Sequence, residues 1–149
     1  MLSGLARTVL PMTSTERTAN ATMSFSSWDE DPGFGPDAPL PRLAQALVAF
    51  GYEGDLVATS SCRYSLSYGA DGRGTAVGFE AIDGTLDGAV GGFVIRHEAA
   101  FTPDGVQLSF DVVEGSGTGA LAGITGSGTS VADHGSQASP WTLTYQLPS

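Results

Sequence analysis

One stretch of the sequence decides the fold, and it runs Glu114-Gly115-Ser116-Gly117-Thr118-Gly119-Ala120-Leu121-Ala122-Gly123-Ile124-Thr125-Gly126-Ser127-Gly128. Glycine returns there at nearly every second or third position. A helix does not tolerate that spacing, because each interior glycine costs about 1 kcal/mol relative to alanine. An ordinary strand is weakened too, because glycine offers no side chain for packing. The stretch therefore predicts turns and bulges that bend the neighbouring strands around the corner of a barrel.

The same stretch carries a formal match to a nucleotide-binding motif. Gly117-x-Gly119-x-x-Ala122 has the spacing of the dinucleotide fingerprint, which requires a helix directly after it. The further glycines at 123, 126 and 128 prevent that helix. A P-loop is excluded as well, because it needs a lysine and the chain contains none.

Short runs of alternating polar and apolar residues surround this stretch, and such alternation is typical of half-buried strands. The pattern is clearest where Cys62, Tyr64, Leu66 and Tyr68 share one face. Residues 43–50 could form a helix by propensity alone, but a strand is favoured because the neighbouring segments are strands. Strands are predicted at 20–28, 43–50, 52–59, 61–68, 75–82, 91–99, 106–113 and 141–147.

Turn residues separate these strands. Asp71-Gly72 is expected at the tip of one hairpin and Asp83-Gly84 at the next, because Asp-Gly favours tight hairpin turns. A proline-rich loop is expected at 29–41 and another loop at 134–140. Eight or so short strands joined by such turns predict an all-β antiparallel β-barrel. A barrel of eight strands has a central cavity just wide enough for one small ligand.

The domain organisation is simple. Residues 18–149 are expected to form a single β-barrel domain, which is a size that buries an adequate core. Residues 1–17 are expected to form a disordered leader. Their apolar runs are interrupted by Gly4, Arg7 and Pro11, so they do not have the unbroken core of a signal peptide.

The balance of charges limits the partners. The formal net charge is −10, so the surface should repel nucleic acid and anionic lipid, and neither nucleic-acid nor membrane binding is expected. Cys62 is the single cysteine, which excludes an intrachain disulfide and a cysteine-based metal cage. The histidines are His97 and His134 alone, and Glu98 points away from His97 on its strand, so no metal and no cofactor are expected. The composition favours a cytoplasmic location.

Several motifs resemble those of an uncharacterised bacterial domain-of-unknown-function family whose barrel is similar to that of allene oxide cyclase, a calycin- or lipocalin-like fold. The resemblance covers nearly the whole chain after the leader, and Gly115-Ser116-Gly117-Thr118-Gly119 is its most specific motif. It implies an antiparallel barrel with a central cavity and no particular activity. The other motifs that carry it are Phe25-Ser26-Ser27-Trp28-Asp29-Glu30, Tyr52-Glu53-Gly54-Asp55-Leu56, Gly78-Phe79-Glu80, Gly84-Thr85-Leu86-Asp87-Gly88, Gly92-Phe93-Val94-Ile95-Arg96-His97, Leu121-Ala122-Gly123 and Thr142-Leu143-Thr144-Tyr145.

The chain departs from this family's pattern at two positions. Ala89 stands where the family usually has arginine, and Ala120 stands where it usually has glutamate. A function that depends on those charges would not be shared, and their loss favours an apolar ligand. Allene oxide cyclase and similar natural-product cyclases bind an apolar, reactive substrate and favour one ring closure, so the resemblance implies cyclisation by fold-level analogy alone.

Two titratable residues are candidates for proton transfer. His97 shares a strand face with Phe93 and Ile95, and an imidazole in an apolar cavity can move a proton near neutral pH. The alternative is a buried histidine held by hydrogen bonds. Glu80 is the candidate acid or base partner and lies in opposite phase to Phe79. The alternative for Glu80 is a structural carboxylate.

Tyrosines and other large side chains complete the candidate site. Tyr64 and Tyr68 would give a cavity apolar walls and hydroxyls that orient a ligand, so they join His97 and Glu80 as catalytic candidates; the alternative is core packing. Aromatic walls can also stabilise developing positive charge. The predicted ligand-binding residues are Trp28, Phe93, Ile95, Phe110, Trp141 and Tyr145.

Three functions are consistent with this pattern. The first is a cofactor-independent cyclase or isomerase that holds a small apolar metabolite, such as a natural-product intermediate, in a reactive fold. The second is a non-catalytic barrel that binds or carries a small hydrophobic ligand. The third is a purely structural or regulatory protein with a collapsed core. The expected partner is a small apolar molecule, with a homodimer as a further candidate assembly.

Overall fold

The structure is a computed structural model that describes residues 16–33, 35, 38–133 and 136–148. Across those residues the chain forms strands and no helix, and no segment there is a helix long and apolar enough to span a membrane. The predicted leader lies largely outside the described residues, and Arg17 already begins the first strand. The strands are β1 (Arg17–Asp31), β2 (Arg42–Gly54), β3 (Leu56–Tyr68), β4 (Gly74–Leu86), β5 (Ala89–Thr102), β6 (Gly105–Val112), β7 (Thr118–Gly119), β8 (Thr125–Asp133) and β9 (Ala138–Gln146).

Eight of these strands close into one antiparallel barrel. They pair in the order β1-β2-β3-β4-β5-β6-β8-β9, and β9 returns to β1, so the predicted all-β barrel is confirmed. Residues 43–50 lie within β2 and are strand rather than helix. Closure pairs the edges that an open sheet would expose to other chains.

Alternating side chains fill the barrel at three levels along its axis. Leu56 and Leu86, which face each other across β3 and β4, are buried at the end that we call the closed end. Glu80 and His97 lie in the middle level and are fully buried. Tyr68 lies near the opposite end, where β3 and β4 meet the hairpin turn at 69–73, and we call this the open end.

The glycine-rich stretch covers the closed end. It turns at Glu114-Gly115, forms the short strand β7 against Gly91 and Gly92 of β5, and turns again over 120–123. Gly119 and Gly123 have positive φ values of 61° and 82°, which explains why glycine occupies these turns. The turns are as predicted, but the stretch forms a plug rather than only a corner in the wall, because Leu121 and Ile124 are each 1% exposed.

One predicted turn is wrong. Asp83-Gly84 lies inside β4 and pairs with β3, and the chain reverses instead at Asp87-Gly88. Both turn residues have positive φ, 47° for Asp87 and 85° for Gly88, which is the geometry of a two-residue hairpin. The sequence offers an acidic residue followed by glycine at both places, so the pattern alone does not choose between them.

A bulge in β1 changes which residues face the barrel interior. The pairing with β2 shifts between Phe25 and Ser27, so the inward alternation moves from odd to even residue numbers. Trp28 and Glu30 consequently pair with the inward positions of β2 and point into the open end. Without the bulge both side chains would face solvent.

Candidate functional site

A pocket occupies the open end of the barrel. Its volume is about 210 Å³, and its walls are mainly apolar and aromatic. Of the residues predicted from the sequence, Tyr64, Tyr68 and Trp28 line it. The lining residues are Met23, Phe25, Trp28, Phe50, Tyr64, Leu66, Tyr68, Ala76, Ala99, Phe101, Val106, Leu108, Ser130, Ala132, Ser136, Gln137 and Ser139.

A chain of hydrogen bonds runs from the middle level of the barrel to this pocket. Oε1 of Glu80 lies 2.5 Å from Nε2 of His97, and Nδ1 of His97 lies 2.8 Å from the hydroxyl of Tyr64. The carboxylate also accepts hydrogen bonds at Oε2 from Tyr52, at 2.5 Å, and from Ser60. The structure therefore brings three of the four catalytic candidates together, with Tyr64 as the member that contacts the pocket.

Gly78 makes room for this chain. It lies between Tyr64 on β3 and His97 on β5 in the strand register, and its own inward position carries no side chain. The rings of Tyr64 and His97 can therefore meet across it, with centroids 5.3 Å apart and planes at 72°. A Cβ at position 78 would lie 2.1 Å from the carbonyl oxygen of Arg63, so the site requires glycine.

Burial keeps the hydroxyls and the thiol of this cluster protonated. Desolvation, reinforced by the nearby charge of Glu80, raises the pKa of Tyr52 well above its usual value of 10.0. Desolvation and the neighbouring Cys62 and Glu80 likewise raise the pKa of Tyr64. The pKa of Cys62 rises from 9.0 to about 12, mainly through burial. These groups act as hydrogen-bond donors at neutral pH rather than as anions.

Cys62 lies beside Glu80 and His97, and these three residue types are ones that bind metals, a grouping that the sequence does not predict. Its sulfur lies within 4.8 Å of a Glu80 oxygen and of a His97 nitrogen, and all three residues are buried. Their atoms are already bonded within the cluster: Glu80 accepts from three groups, and both nitrogens of His97 are engaged. A protonated thiol must also lose its proton before it binds a metal. The cluster is better described as a hydrogen-bonded network.

A second polar cluster lies at the rim of the pocket. Glu30 forms a short ion pair with Arg42, and it accepts hydrogen bonds from the Tyr68 hydroxyl at 2.8 Å and from Nε1 of Trp28 at 3.1 Å. Arg42 also donates to the carbonyl oxygens of Pro32 and Gly33. Glu30 and Arg42 were not predicted as site residues from the sequence, because the bulge in β1 that turns Glu30 inward leaves no clear signal there. Tyr68 belongs to this cluster and not to the Glu80 chain.

Five of the predicted ligand-binding residues do not line the pocket. Phe93, Ile95, Phe110, Trp141 and Tyr145 are at most 3% exposed and fill the barrel below it. Phe110 stacks on Trp141 with ring centroids 5.1 Å apart, and Phe110 also packs against His97. Tyr145 donates to Asp87 at the closed end. Alternation identified these residues as inward, but it does not tell how deep along the axis each one lies.

Comparison with known proteins gives a family and a fold. A family model described as "Protein of unknown function (DUF3224)" matches residues 19–145. The chain is similar to a crystal structure of a DUF3224 protein of unknown function from Shewanella oneidensis MR-1, with 21% identity and a TM-score of 0.70 over 91% of this chain and 99% of that one. At this identity the likeness shows the fold alone. No match occurs among curated proteins.

Proposed function

Because the chain belongs to the DUF3224 family, whose description assigns no activity, we propose a function from the site itself: the protein binds a small apolar molecule in the pocket at the open end of its barrel. The observation that carries this proposal is a pocket whose walls are mainly apolar. Tyr64 is one of the lining residues, and its hydroxyl forms the end of a buried chain of hydrogen bonds. Apolar walls with a few placed polar groups are the usual composition of small-molecule sites.

The size of the pocket restricts the ligand. About 210 Å³ is less than the roughly 300 Å³ at which pockets for drug-sized molecules begin. The pocket therefore does not enclose a large molecule, and it restricts further the size of the small apolar metabolite that the sequence predicts. The ligand is either compact, with one ring or a short branched chain, or it places only one end in the pocket. Trp28, at 46% exposure, would contact the part that extends outside.

A cofactor-independent isomerase or cyclase is the second candidate, and the Glu80–His97–Tyr64 chain favours it. The Tyr64 oxygen would take a proton from the ligand while the Tyr64 proton moves to Nδ1 of His97, and Glu80 would stabilise the resulting imidazolium. Return of the proton to a different ligand atom completes an isomerisation with no net change in protons. The likeness of the fold to allene oxide cyclase barrels, suggested by the sequence, adds only analogy.

Binding is tested by filling the pocket. Ala99 lines it, whereas Ala81 faces solvent on the adjacent strand, so Ala99→Leu is the test and Ala81→Leu is its matched control. We expect compact aromatic and alicyclic probes to shift the amide NMR signals of the lining residues in the wild type and in Ala81→Leu, and Ala99→Leu to weaken binding. The proposal would be contradicted if the probes left the amide signals of the lining residues unchanged, or if Ala99→Leu bound the probes as tightly as the wild type.

Proton transfer is tested separately from binding. Probes that bind and carry an acidic C–H are incubated in D₂O, and exchange is followed by NMR. If the chain of hydrogen bonds moves protons, the protein accelerates exchange, and Tyr64→Phe removes the acceleration while the probe still binds. If the probes bind and the protein does not accelerate their exchange, the isomerase or cyclase is ruled out and only the binding function remains.

A further inference from the structure

One row of residues on the outside of the barrel carries an acid and a base on either side of an apolar side chain. Asp29 on β1 pairs with Leu47 on β2, and Leu47 pairs with Arg63 on β3, so the three lie side by side across the strands. All three side chains are exposed, Leu47 by 42%. The two charged residues lie on alternate strands, which are roughly 10 Å apart. Neither Asp29 nor Arg63 forms an ion pair with another residue that the structure describes, so both charges can meet a partner.

The surface around this row is poor in acidic residues, although the chain contains 16 of them. Within β2 and β3 the only acidic residue is Glu53, and the outward positions carry mainly small or apolar side chains. The net charge of −10 makes two copies of the chain repel each other in general. A second copy therefore meets the least repulsion at this face. A groove of about 330 Å³, lined by Asp29, Asp31, Leu47 and Arg63 among others, gives room there for a long side chain of a partner.

A two-fold rotation makes this row complementary to itself. In a two-fold homodimer both copies present the same patch, and residues at equal distances on opposite sides of the axis face each other. An axis that runs parallel to β2 at Leu47 places Leu47 against the Leu47 of the second copy. It also places Asp29 of each copy against Arg63 of the other, because the two residues are one strand away from β2 on opposite sides.

Axes along the neighbouring strands bring like charges together. The row continues from Arg63 through Phe79 on β4 to Arg96 on β5. An axis along β3 would place Arg63 against itself, and an axis along β4 would place Arg63 against Arg96. An axis along β1 would place Asp29 against itself. Contacts between like charges oppose association, so of these four axes only the one along β2 joins unlike charges.

From this row we infer that the protein forms a two-fold homodimer through the outer face of β2, with Leu47 at its centre and an Asp29–Arg63 ion pair on each side. Exposed ion pairs add little affinity by themselves. They select the partner and its orientation, while the apolar contact at Leu47 supplies the attraction. The homodimer does not depend on what the pocket at the open end binds.

Charge reversal tests the pairing, with the oligomeric state measured by analytical ultracentrifugation at physiological ionic strength. We expect the wild type to dimerise, and Asp29→Arg and Arg63→Asp each to dimerise at least about tenfold more weakly, because each creates two contacts between like charges. Mixed in equal amounts, the two variants should dimerise with each other, because one presents arginine at both positions and the other aspartate. The control is Asp111→Arg on β6, on the opposite side of the barrel, which should dimerise as the wild type does.

A second pair of variants tests the apolar centre. Leu47→Ser should weaken the dimer, whereas Val131→Ser, at an exposed valine of β8, should not. A wild type that stays monomeric up to about 1 mM would overturn the inference. If the wild type dimerises but each charge-reversed variant dimerises equally well alone, or the two variants do not pair with each other, the dimer uses another surface and the inference is wrong.

Discussion

Glu80 and His97 are joined by a hydrogen bond of 2.5 Å between Oε1 and Nε2, although neither side chain is exposed to solvent. They lie on the paired strands β4 and β5, where Glu80 is opposite Ile95 and His97 is opposite Gly78. The two residues are therefore diagonal neighbours on the inner face of the barrel. Buried polar groups of this kind stabilise a fold only while all of them stay paired.

We expect Glu80→Gln to destabilise the protein strongly. The amide cannot accept from Tyr52, Ser60 and His97 as the carboxylate does, and breaking a buried polar cluster in this way costs about 3–5 kcal/mol. The exposed Glu98, which pairs with Arg96 on the barrel exterior, provides the control Glu98→Gln, with an expected change below about 1 kcal/mol. Urea unfolding measures both free energies. If the two substitutions lowered the free energy of unfolding equally, the buried cluster would contribute no more to stability than an exposed ion pair.

Gly78→Ala should also destabilise the protein, because its Cβ would lie 2.1 Å from the Arg63 carbonyl oxygen and between Tyr64 and His97. Overpacking of this kind costs about 1–3 kcal/mol. Gly51→Ala is the matched control on β2, where the nearest atom to a new Cβ is 4.0 Å away. Urea unfolding again gives the comparison, and a variant at position 78 as stable as that at position 51 would contradict the close packing.

The stability of the protein should fall as the pH rises above about 9. In the unfolded chain the thiol of Cys62 ionises near its usual pKa of 9.0, whereas in the fold burial raises that pKa to about 12. Between these values the unfolded state has lost the proton and the folded state retains it, so stability decreases with rising pH. The raised pKa values of Tyr52 and Tyr64 extend the decrease above pH 10. Urea midpoints across this range should fall less steeply in Cys62→Ala, and an identical slope would exclude Cys62 as a cause.

We expect the plug at the closed end to stabilise the folded protein. Leu121 is 1% exposed, and Leu121→Ala is expected to cost about 2–5 kcal/mol, as for other buried leucines. Leu43→Ala is the control, because Leu43 is 74% exposed and surface changes usually stay within about 0.5 kcal/mol. Thermal or urea unfolding measures the difference. A small effect at Leu121 would mean that the glycine-rich stretch covers the barrel without stabilising it.

Alternation predicted much of the site. It placed Cys62 and Tyr64 on one face and His97 with Ile95 on another, and all four side chains are buried inside the barrel. It failed at Glu30, because the bulge at Phe25–Ser27 reverses the alternation, and the sequence on either side of the bulge shows no break. It also failed at Tyr52 and Ser60, because their role comes from contact with Glu80 across other strands.

The sequence by itself determined that this chain is an all-β barrel. It also determined which residues face inward on most strands and where glycine is needed for a turn. These are local properties, because they depend on the alternation of side chains every two residues along a strand and on the backbone freedom of single glycines. The tertiary structure decided the strand register, and with it the joining of Glu80, His97 and Tyr64 across Gly78. It also decided which end of the barrel is plugged and which holds the pocket. Register and depth depend on contacts between residues distant along the chain, and no local pattern contains them.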